Sequence, residues 1–314
     1  MIGRHPRGIE RPDCRIAPEL YNLDAAGYES LMLGLFTIWR GQPPPREKPN
    51  EVCLGFSRDG FHWTRPERRA FIPVSETPGA WNYTNVQSAA GGCLIVGDRL
   101  YFYVSARGKG RVAGLATLRR DGFASMDAGG TDFKSVLQAT AGTLTTRVLT
   151  FQGKYLFVNL DAPHGQLRVE ILDAVGRPIV PFTRDNCVPV HGDHTLARVR
   201  WQGATDLSAL AGRPVRFRFH LTDGKLYAFW VSPDASGASH GYVAAGGPGF
   251  TSNQDTVGEI GTGRDQETVG WDKRRAVPPE LGGSAVGGTA LRLSHPTSPL
   301  ARGPGGPESG RGQR

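Results

Sequence analysis

Short apolar and alternating segments, separated by turn residues, run through residues 17–250 and predict strands rather than helices. In the first half, the continuous apolar run LMLGLFTIW covers 31–39, and EVCLGFSR begins at 51 after a proline-rich loop. DRLYFYVSA at 98–106 alternates between apolar and polar positions, as a strand with one buried face does, and RVAGLATLRR follows at 111–120. The pattern predicts an all-β fold.

The four residues Arg-Asp-Gly-Phe occur twice, at 58–61 and again at 120–123. Asp-Gly between apolar segments is a strong signal for a β-hairpin. The segments before the two turns also correspond, since Tyr28-Glu29-Ser30 matches Val86-Gln87-Ser88. Two unrelated hairpins that share Asp-Gly by chance are the alternative. We predict a repeated unit of ~60 residues with about four strands, as in a propeller blade, which places Glu29 and Gln87 on the innermost strands.

The second half contains no third copy of this unit. Alternating segments separated by glycine-containing turns follow one another instead, and such a series predicts a β-sandwich. One short helical segment is indicated, DLSALAG, with Asp206 or Ser208 as its cap and Gly212 as its end. The predicted strands are 142–151, 154–162, 166–174, 194–201, 213–221 and 225–232.

The C-terminal segment 251–314 contains 13 Gly and 6 Pro in 64 residues, and neither Phe nor Tyr. It can bury too little apolar surface to offset its ordering entropy, so we expect it to be disordered. The predicted organisation is an N-terminal arm or remnant of a preceding blade at 1–19, a partial propeller of two blades at 20–130, a β-sandwich at 131–250 and a disordered tail at 251–314.

Composition narrows the classes of function. No run of eighteen apolar residues predicts a membrane span. The net charge of +8 comes from arginines scattered over the chain, without a basic run interleaved with aromatics, so we expect no nucleic-acid partner. The basic N-terminus has no apolar core and is not a secretory signal, which leaves localisation open. Cys14, Cys53, Cys93 and Cys187 are far apart, and they predict neither a zinc site nor a disulfide framework; no cofactor is predicted.

Propeller-like repeats followed by a sandwich resemble the five-bladed propeller glycoside hydrolases of families 32 and 43. The hairpin SRDGFHWTRP at 57–66 is similar to the S-x-DG-x-x-W turns of such propellers and, more loosely, to sialidase Asp-boxes. The resemblance covers about 17–250 and corresponds to the C-terminal part of these enzymes. It implies a carbohydrate ligand and glycosidase chemistry, carried by acidic side chains on the inner strands.

The catalytic residues implied by the resemblance are only partly represented in the chain. The first two family carboxylates should lie upstream of it, and the family's Arg-Asp-Pro triplet and Glu-Cys pair are absent. Glu29 is the nearest candidate for the acid by blade position, in the fourth blade where the family acid lies in the third. One carboxylate cannot supply both the acid and the nucleophile or base. We therefore expect an N-terminally truncated propeller that is a poor or inactive glycosidase, with open blade faces that favour self-association.

Five residues are candidates for the site, and each has a structural alternative. Glu29 is the candidate proton donor, or pairs with a neighbouring arginine, and Asp24 is the candidate second carboxylate, or a turn residue. Trp81 and Tyr83 are candidates for stacking on a sugar ring, or pack in the core. Gln87 is a candidate for hydrogen bonding to a ligand in the channel, or to a neighbouring backbone.

HGDH at 191–194 contains metal-binding residue types, but it follows CVPV in a predicted loop without a third ligand, so a solvated turn is favoured and no metal site is predicted. Three classes of function remain: a glycoside hydrolase, a non-catalytic carbohydrate-binding protein, and a structural or interaction protein. Two acidic side chains within ~10 Å of each other would favour the first class. An exposed aromatic platform without paired acids would favour the second.

Overall fold

The computed structural model describes residues 18–40, 48–88, 92–108, 110–129 and 141–262. Their regular structure is β, apart from two 3-10 turns at Ser208–Leu210 and Gly258–Thr262. The all-β prediction is therefore confirmed. The first 3-10 turn lies where the short helix was predicted, and the Asp206 carboxylate accepts a hydrogen bond from the Ser208 amide at 2.8 Å. No described residue belongs to a helix long and apolar enough to cross a membrane.

The first sheet has nine strands, in the order β15-β1-β2-β3-β5-β7-β6, with β4 paired to β3 and β8 paired to β7. Its centre is the apolar run of β2, in which Leu33, Leu35 and Phe36 are buried. Its strands are β1 (Glu19–Glu29), β2 (Leu31–Trp39), β3 (Asn50–Ser57), β4 (Trp63–Thr64), β5 (Asn85–Ser88), β6 (Leu94–Val96), β7 (Arg99–Arg107), β8 (Arg111–Arg119) and β15 (Tyr242–Val243).

The two Arg-Asp-Gly-Phe turns occupy corresponding places, because each follows the third strand of an antiparallel series. The strands β1, β2 and β3 precede the first turn. Before the second turn, β5 and β6 both pair with β7 and together take the first place, β7 takes the second and β8 the third. After the first turn, β4 pairs back with β3, whereas after the second turn β9 (Met126–Ala128) pairs with β14 (Gly224–Ser232) of the other sheet. The expected division into two separate four-stranded blades is not established, since one parallel pair, Asn50 with Asn85, joins the series into one sheet.

The second sheet has six strands, in the order β10-β13-β11-β14-β9, with β12 also paired to β11. Residues 154–174 were predicted as two strands separated by a turn, but β11 is continuous. It pairs with β14 along its first half and with β13 along its second half. The strands not yet given are β10 (Ala141–Thr145), β11 (Tyr155–Asp173), β12 (Val190–Arg198) and β13 (Val215–Thr222).

The bend in the middle of β11 depends on Gly165. A side chain at this position would lie 2.7 Å from the carbonyl carbon of Thr222, so the close approach of the two backbones requires glycine. β13 and β14 pair with different halves of β11, and the sheet encloses a core that includes Phe217, Phe219 and Trp201. HGDH lies in β12 rather than in the predicted loop.

Each sheet has its own apolar core. In the first sheet this core contains Ile95, Leu100 and Phe102, together with Cys93. Cys53 and Cys93 are both buried, and burial raises the pKa of their thiols to about 11 and about 12. These thiols are therefore protonated and unreactive at neutral pH.

The last described segment, 233–262, returns from the second sheet to the first. In β15, Val243 pairs with Tyr28 and Tyr242 pairs with Glu29 of β1. Residues 251–262 were expected to belong to a disordered tail, and this part of the prediction is wrong: Asp255 is 1% exposed and Gly258–Thr262 forms a 3-10 turn. The rest of the predicted tail, 263–314, and the predicted arm up to residue 17 lie outside the described residues.

Candidate functional site

A cavity of about 480 Å³ lies where the two sheets meet. The first sheet contributes the end of β1 and the second Arg-Asp-Gly-Phe turn, and the second sheet contributes β12 and β14. The returning segment closes it with residues 239–242 and Asp255. Its polar residues include Tyr28, Glu29, Arg120, Asp121, Ser239 and Asp255, and its aromatic residues are Phe56, Phe123, Phe229, Trp230 and Tyr242.

Glu29 is the last residue of β1, at the turn into β2, and it has a φ of 49°. Its pKa is raised from 4.5 to about 8, chiefly because burial disfavours the carboxylate and then because the negative charge of Asp121 opposes its ionisation. A hydrogen bond with the Ser239 side chain opposes these effects. Glu29 is therefore a carboxylic acid that keeps its proton at neutral pH, as a general acid must.

The backbone around Glu29 is closely packed by Gly241. A Cβ atom at position 241 would lie 2.6 Å from the Glu29 Cα atom, so only glycine fits beside this turn. The absence of a side chain at 241 lets the returning segment approach the carboxyl group directly. The pairing of β15 with the end of β1 thus encloses Glu29.

Asp121 provides a second carboxylate in the same cavity. The Tyr28 hydroxyl donates a hydrogen bond to Asp121 Oδ1 at 2.5 Å, and burial together with this carboxylate raises the pKa of Tyr28 well above its ordinary value. Asp121 is the Asp of the second Asp-Gly turn, and it has a φ of 55°. Its counterpart, Asp59, is exposed and accepts hydrogen bonds from the amides of Phe61 and His62. The two copies of the turn therefore use the same residue type differently.

Arg120 and Asp255 form a buried ion pair behind these two acids. Arg120 Nη2 donates to Asp255 Oδ2 at 2.7 Å, and the side chains are 5% and 1% exposed. Asp255 Oδ1 accepts from the amides of Val257 and Gly258 at 3.1 and 2.9 Å, so both of its oxygens have partners. Arg120 Nη1 is also buried, but none of the described residues accepts a hydrogen bond from it.

The turn that carries these residues is fixed to the second sheet by Asn159. This side chain is fully buried; its amide nitrogen donates to the Arg120 carbonyl and its oxygen accepts from Arg119 Nε, both at 2.6 Å. Arg119 also donates to the carbonyl of Leu160 and pairs with Asp193 of the HGDH segment. The second sheet thereby sets the position of Arg120 and Asp121.

Backbone strain is concentrated at this cavity. Six non-glycine residues of the described part of the chain have positive φ, and three of them, Glu29, Asp121 and His240, line the cavity. Such conformations cost roughly 1–3 kcal/mol each and persist where the surrounding structure enforces them, often at functional sites. The strained backbone fixes the directions of the Glu29, Asp121 and His240 side chains and lowers the free energy of unfolding.

Aromatic side chains also line the cavity. The Trp230 ring stacks on Phe157 with ring centres 5.7 Å apart, and its Nε1 donates to the Gly237 carbonyl at 2.9 Å. Trp230 is half-buried and lines the cavity. Tyr242 is 50% exposed at the entrance. Rings held in this way offer flat apolar surfaces to a ligand such as a sugar.

The remaining predicted site residues lie elsewhere. Asp24 accepts hydrogen bonds from Ser88 and Asn22 and does not line the cavity. Trp81 packs against the first core, over Gly114, and the half-buried Tyr83 is outside the cavity lining.

Gln87 lies within β5 and lines an open groove of about 520 Å³ on the first sheet, together with Tyr103 and Arg107. The correspondence of the segments before the two turns predicted equivalent positions for Glu29 and Gln87. The positions differ, because Glu29 is the last residue of β1, at a hairpin turn, and Gln87 lies within β5.

Sequence reasoning identified Glu29 but missed Arg120, Asp121 and Asp255. The repeated turn was itself a signal for Arg120 and Asp121, although a structural turn explained it equally well. Asp255 gave no signal, because it lies in a segment poor in apolar residues. Among the described residues, no three His, Cys, Asp or Glu side chains are grouped so that they could hold a metal ion.

Comparisons with known proteins give little further support. No protein-family model matches the chain, and no curated protein matches it. A solved glycoside hydrolase family 43 arabinoxylan arabinofuranohydrolase from Bacillus subtilis, in complex with cellotetraose, aligns with 67% of this chain at 12% identity and a TM-score of 0.21. The chain spans about half, 53%, of the length of that enzyme.

Proposed function

We propose that this protein acts on carbohydrate as a glycoside hydrolase, with Glu29 as the general acid and Asp121 as the second carboxylate. The observation that carries the proposal is that Glu29 and Asp121 line one cavity walled by aromatic rings, where burial and the neighbouring Asp121 raise the pKa of Glu29 to about 8. Cleavage of a glycosidic bond requires two carboxyl groups, one of which donates a proton. The resemblance of the hairpin motif to propeller glycosidases points the same way.

In the proposed reaction the glycosidic bond lies between the two acids. Glu29 donates its proton to the leaving-group oxygen as the bond from this oxygen to the anomeric carbon breaks. Asp121 either attacks the anomeric carbon or removes a proton from the attacking water, depending on the separation of the carboxyl groups. Tyr28 holds Asp121 Oδ1, which leaves Oδ2 to act.

In this proposal Asp121 takes the place of Asp24 as the second carboxylate. The resemblance implied that the carboxylates acting with Glu29 lie upstream of the chain, whereas Asp121 lies downstream of Glu29, in the second Asp-Gly turn. We retain as a proposal the architecture of a partial propeller followed by a sandwich, with the cavity at their junction. Association of copies through open sheet faces also remains a prediction.

Carbohydrate binding without hydrolysis is the second candidate. It is favoured by Tyr242, which is 50% exposed beside the cavity, and by the hydrogen bond that already occupies one oxygen of Asp121. In that case the acids would serve as hydrogen-bonding groups for sugar hydroxyls. Both candidate functions predict that the protein binds sugars, and only the first predicts that it hydrolyses them.

Hydrolysis of aryl and alkyl glycosides and of fructans by the purified chain, compared among Glu29→Gln, Asp121→Asn and Asp24→Asn, tests the proposal. We expect Glu29→Gln to lose about 10²–10⁴-fold in kcat on alkyl glycosides and far less on dinitrophenyl glycosides, whose leaving group needs no proton. Asp121→Asn should lose activity on both. Asp24→Asn, the matched control from the same strand, should keep it.

Two results would overturn this assignment. Sugar binding without turnover by the wild-type chain would select the second candidate. An equal loss of kcat in Asp24→Asn and Glu29→Gln would show that Glu29 is not the general acid.

A further inference from the structure

A second concave surface lies on the first sheet, where β7 is flanked by β5 and β8. It is the open groove of about 520 Å³ that Gln87 lines, and it shares none of its described residues with the cavity between the sheets. Exposed and buried side chains alternate along β7, so Tyr103, Ser105 and Arg107 all lie on the groove face. This surface is therefore distinct from the one proposed for hydrolysis.

Two arginines form one end of the groove. Arg107 of β7 lies directly opposite Arg111 of β8, and like charges directly opposite each other in a sheet are destabilising. The described residues that line the groove include neither Asp nor Glu. No residue in the described part of the chain forms an ion pair or a hydrogen bond with either guanidinium. This end of the groove thus carries two positive charges that an anion from outside the fold can neutralise.

Short side chains form the floor between these arginines and Tyr103. Ser105 pairs with Gln87 of β5 on one side and with Ala113 of β8 on the other. This row lies about 7 Å from Tyr103 and about 7 Å from Arg107 along β7, because a strand rises about 3.4 Å per residue. The Tyr103 side chain is 50% exposed. A ligand on this floor therefore has an aromatic ring on one side and the guanidinium groups on the other.

We propose that this groove is a second binding site, and that its ligand is a sugar ring that bears an oxyanion, either a carboxylate or a phosphate ester. A guanidinium group donates two parallel hydrogen bonds to such an anion. The Tyr103 ring offers a flat surface to the sugar ring, and the Gln87 amide and the Ser105 hydroxyl can bond with its hydroxyl groups. The inference goes beyond the proposed function, because it concerns another surface and requires no hydrolysis.

A single strand of nucleic acid is another anionic ligand that stacks on aromatic side chains. Such a strand binds along a track of positive side chains that contact several phosphates. In this groove the described positive side chains are Arg107 and Arg111, and both lie at the same end. Two adjacent arginines match a single oxyanion better than a chain of phosphates.

Ligand-observed NMR titration tests the inference, because it measures the dissociation constants of weakly bound sugars. The probes are methyl glucuronide and glucose 6-phosphate, with methyl glucoside as the neutral control and inorganic phosphate as the control without a ring. We expect at least one anionic sugar to bind about tenfold more tightly than methyl glucoside, since hydrogen bonds to charged groups are the stronger ones. The tighter of the two anionic sugars identifies the group as a carboxylate or a phosphate.

Variants locate the binding in the groove. Arg107→Gln and Arg111→Gln should each weaken binding of the anionic sugar about tenfold. Arg99→Gln is the matched control, since it makes the same change on β7 outside the groove lining, and it should leave binding unchanged. Tyr103→Leu should weaken binding of the anionic sugar about fivefold and leave binding of inorganic phosphate unchanged.

A thermal melt without ligand separates a binding role of the arginines from a structural one. Removal of one charge relieves the repulsion between Arg107 and Arg111. The melting temperature of Arg111→Gln should therefore equal or exceed that of the wild type. A clear fall would show that the arginine serves the fold, and it would overturn the inference.

Equal binding of methyl glucoside and the anionic sugars, or an equal loss of binding in Arg99→Gln and Arg111→Gln, would also overturn it. Tighter binding of oligothymidylate than of either anionic sugar would assign the groove to nucleic acid instead. Binding in the groove without hydrolysis of any glycoside would remove the proposed hydrolase and leave this inference standing. Hydrolysis without binding in the groove would do the reverse.

Discussion

Arg120 and Asp255 form an ion pair at 2.7 Å although 135 positions separate them in the chain. Both side chains are buried, and the pair connects the second Arg-Asp-Gly-Phe turn to the segment that follows the second sheet. The Arg120 guanidinium also lies over the Phe250 ring, 5.6 Å from its centre. Residues 250–262 are thus part of the folded structure and of the cavity wall.

Removal of the Asp255 charge should destabilise the protein strongly. Asp255→Asn keeps an acceptor for the amides of Val257 and Gly258 but removes the carboxylate that is hydrogen-bonded to the buried Arg120 guanidinium, which leaves Asp121 as the neighbouring negative charge. We expect the free energy of unfolding, measured by urea denaturation, to fall by about 3–5 kcal/mol. Truncation after Phe250 should lower the melting temperature as well, contrary to what the composition of the segment suggests.

The controls for this prediction come from the same segment. Truncation after Thr262 keeps the ion pair and should melt well above the chain truncated after Phe250. The double variant Arg120→Met, Asp255→Leu removes both charges and should recover much of the loss. A stability of Asp255→Asn equal to that of the wild type would show that the pair contributes nothing.

The stability of the protein should fall as the pH rises from about 4.5 to about 8. Glu29 has its ordinary pKa of 4.5 in the unfolded chain and a pKa of about 8 in the fold, so the folded state holds the proton more tightly. The contribution of Glu29 protonation to the free energy of unfolding is complete below pH 4.5, decreases as Glu29 ionises in the unfolded chain, and is lost by about pH 8. Its size is roughly 3–5 kcal/mol, since one pKa unit corresponds to about 1.4 kcal/mol.

Glu29→Gln removes this titration. The variant should be more stable than the wild type at pH 8, and the difference should vanish near pH 4.5. Urea denaturation at pH 5, 6, 7 and 8 measures it. A constant difference across these pH values would show that the pKa of Glu29 is not raised.

Asn159 should couple the two sheets to the cavity. Asn159→Leu conserves volume but removes the hydrogen bonds to the Arg120 carbonyl and to Arg119. We expect a loss of about 2 kcal/mol in the free energy of unfolding, and weaker sugar binding because the turn with Asp121 shifts. The control is Asn82→Leu, which removes an exposed hydrogen bond to the Pro73 carbonyl and should leave sugar binding unchanged. Unaltered sugar binding in Asn159→Leu would argue that the turn is held by other contacts.

The two Asp-Gly turns should respond differently to substitution. Hydrogen bonds from His62, in its backbone and side chain, and from Phe61 lower the pKa of Asp59. The contribution of ionised Asp59 to the free energy of unfolding is therefore present above pH 3.8 and is lost as the pH falls below it. Asp59→Ala should lower the melting temperature at pH 7, less so at pH 3, and leave hydrolysis unchanged. Loss of hydrolysis in Asp59→Ala at a temperature where it is folded would mean that the first turn also serves the site.

The pattern of apolar and polar residues was enough to predict the strands and the turns between them. Alternation and apolar runs gave β2, β7, β8, β13 and β14 near their observed limits, because burial of one face imposes a period of two on the chain. The repeated Arg-Asp-Gly-Phe turn was recognisable for the same local reason, since Asp-Gly fits the backbone of a tight turn. Glu29 could be singled out as an acid, although its partner could not.

Which side chains meet in the cavity depends on how the two sheets and the returning segment pack together. The cavity combines residues from Tyr28 to Thr262, and periodicity records which face of a strand is buried without recording what covers it. The segment after Phe250 was misjudged because composition measures apolar area, whereas Asp255 is held by one guanidinium and two amides. Asp59 and Asp121 have the same sequence context in their turns, and they differ because only the second turn is covered by the other sheet.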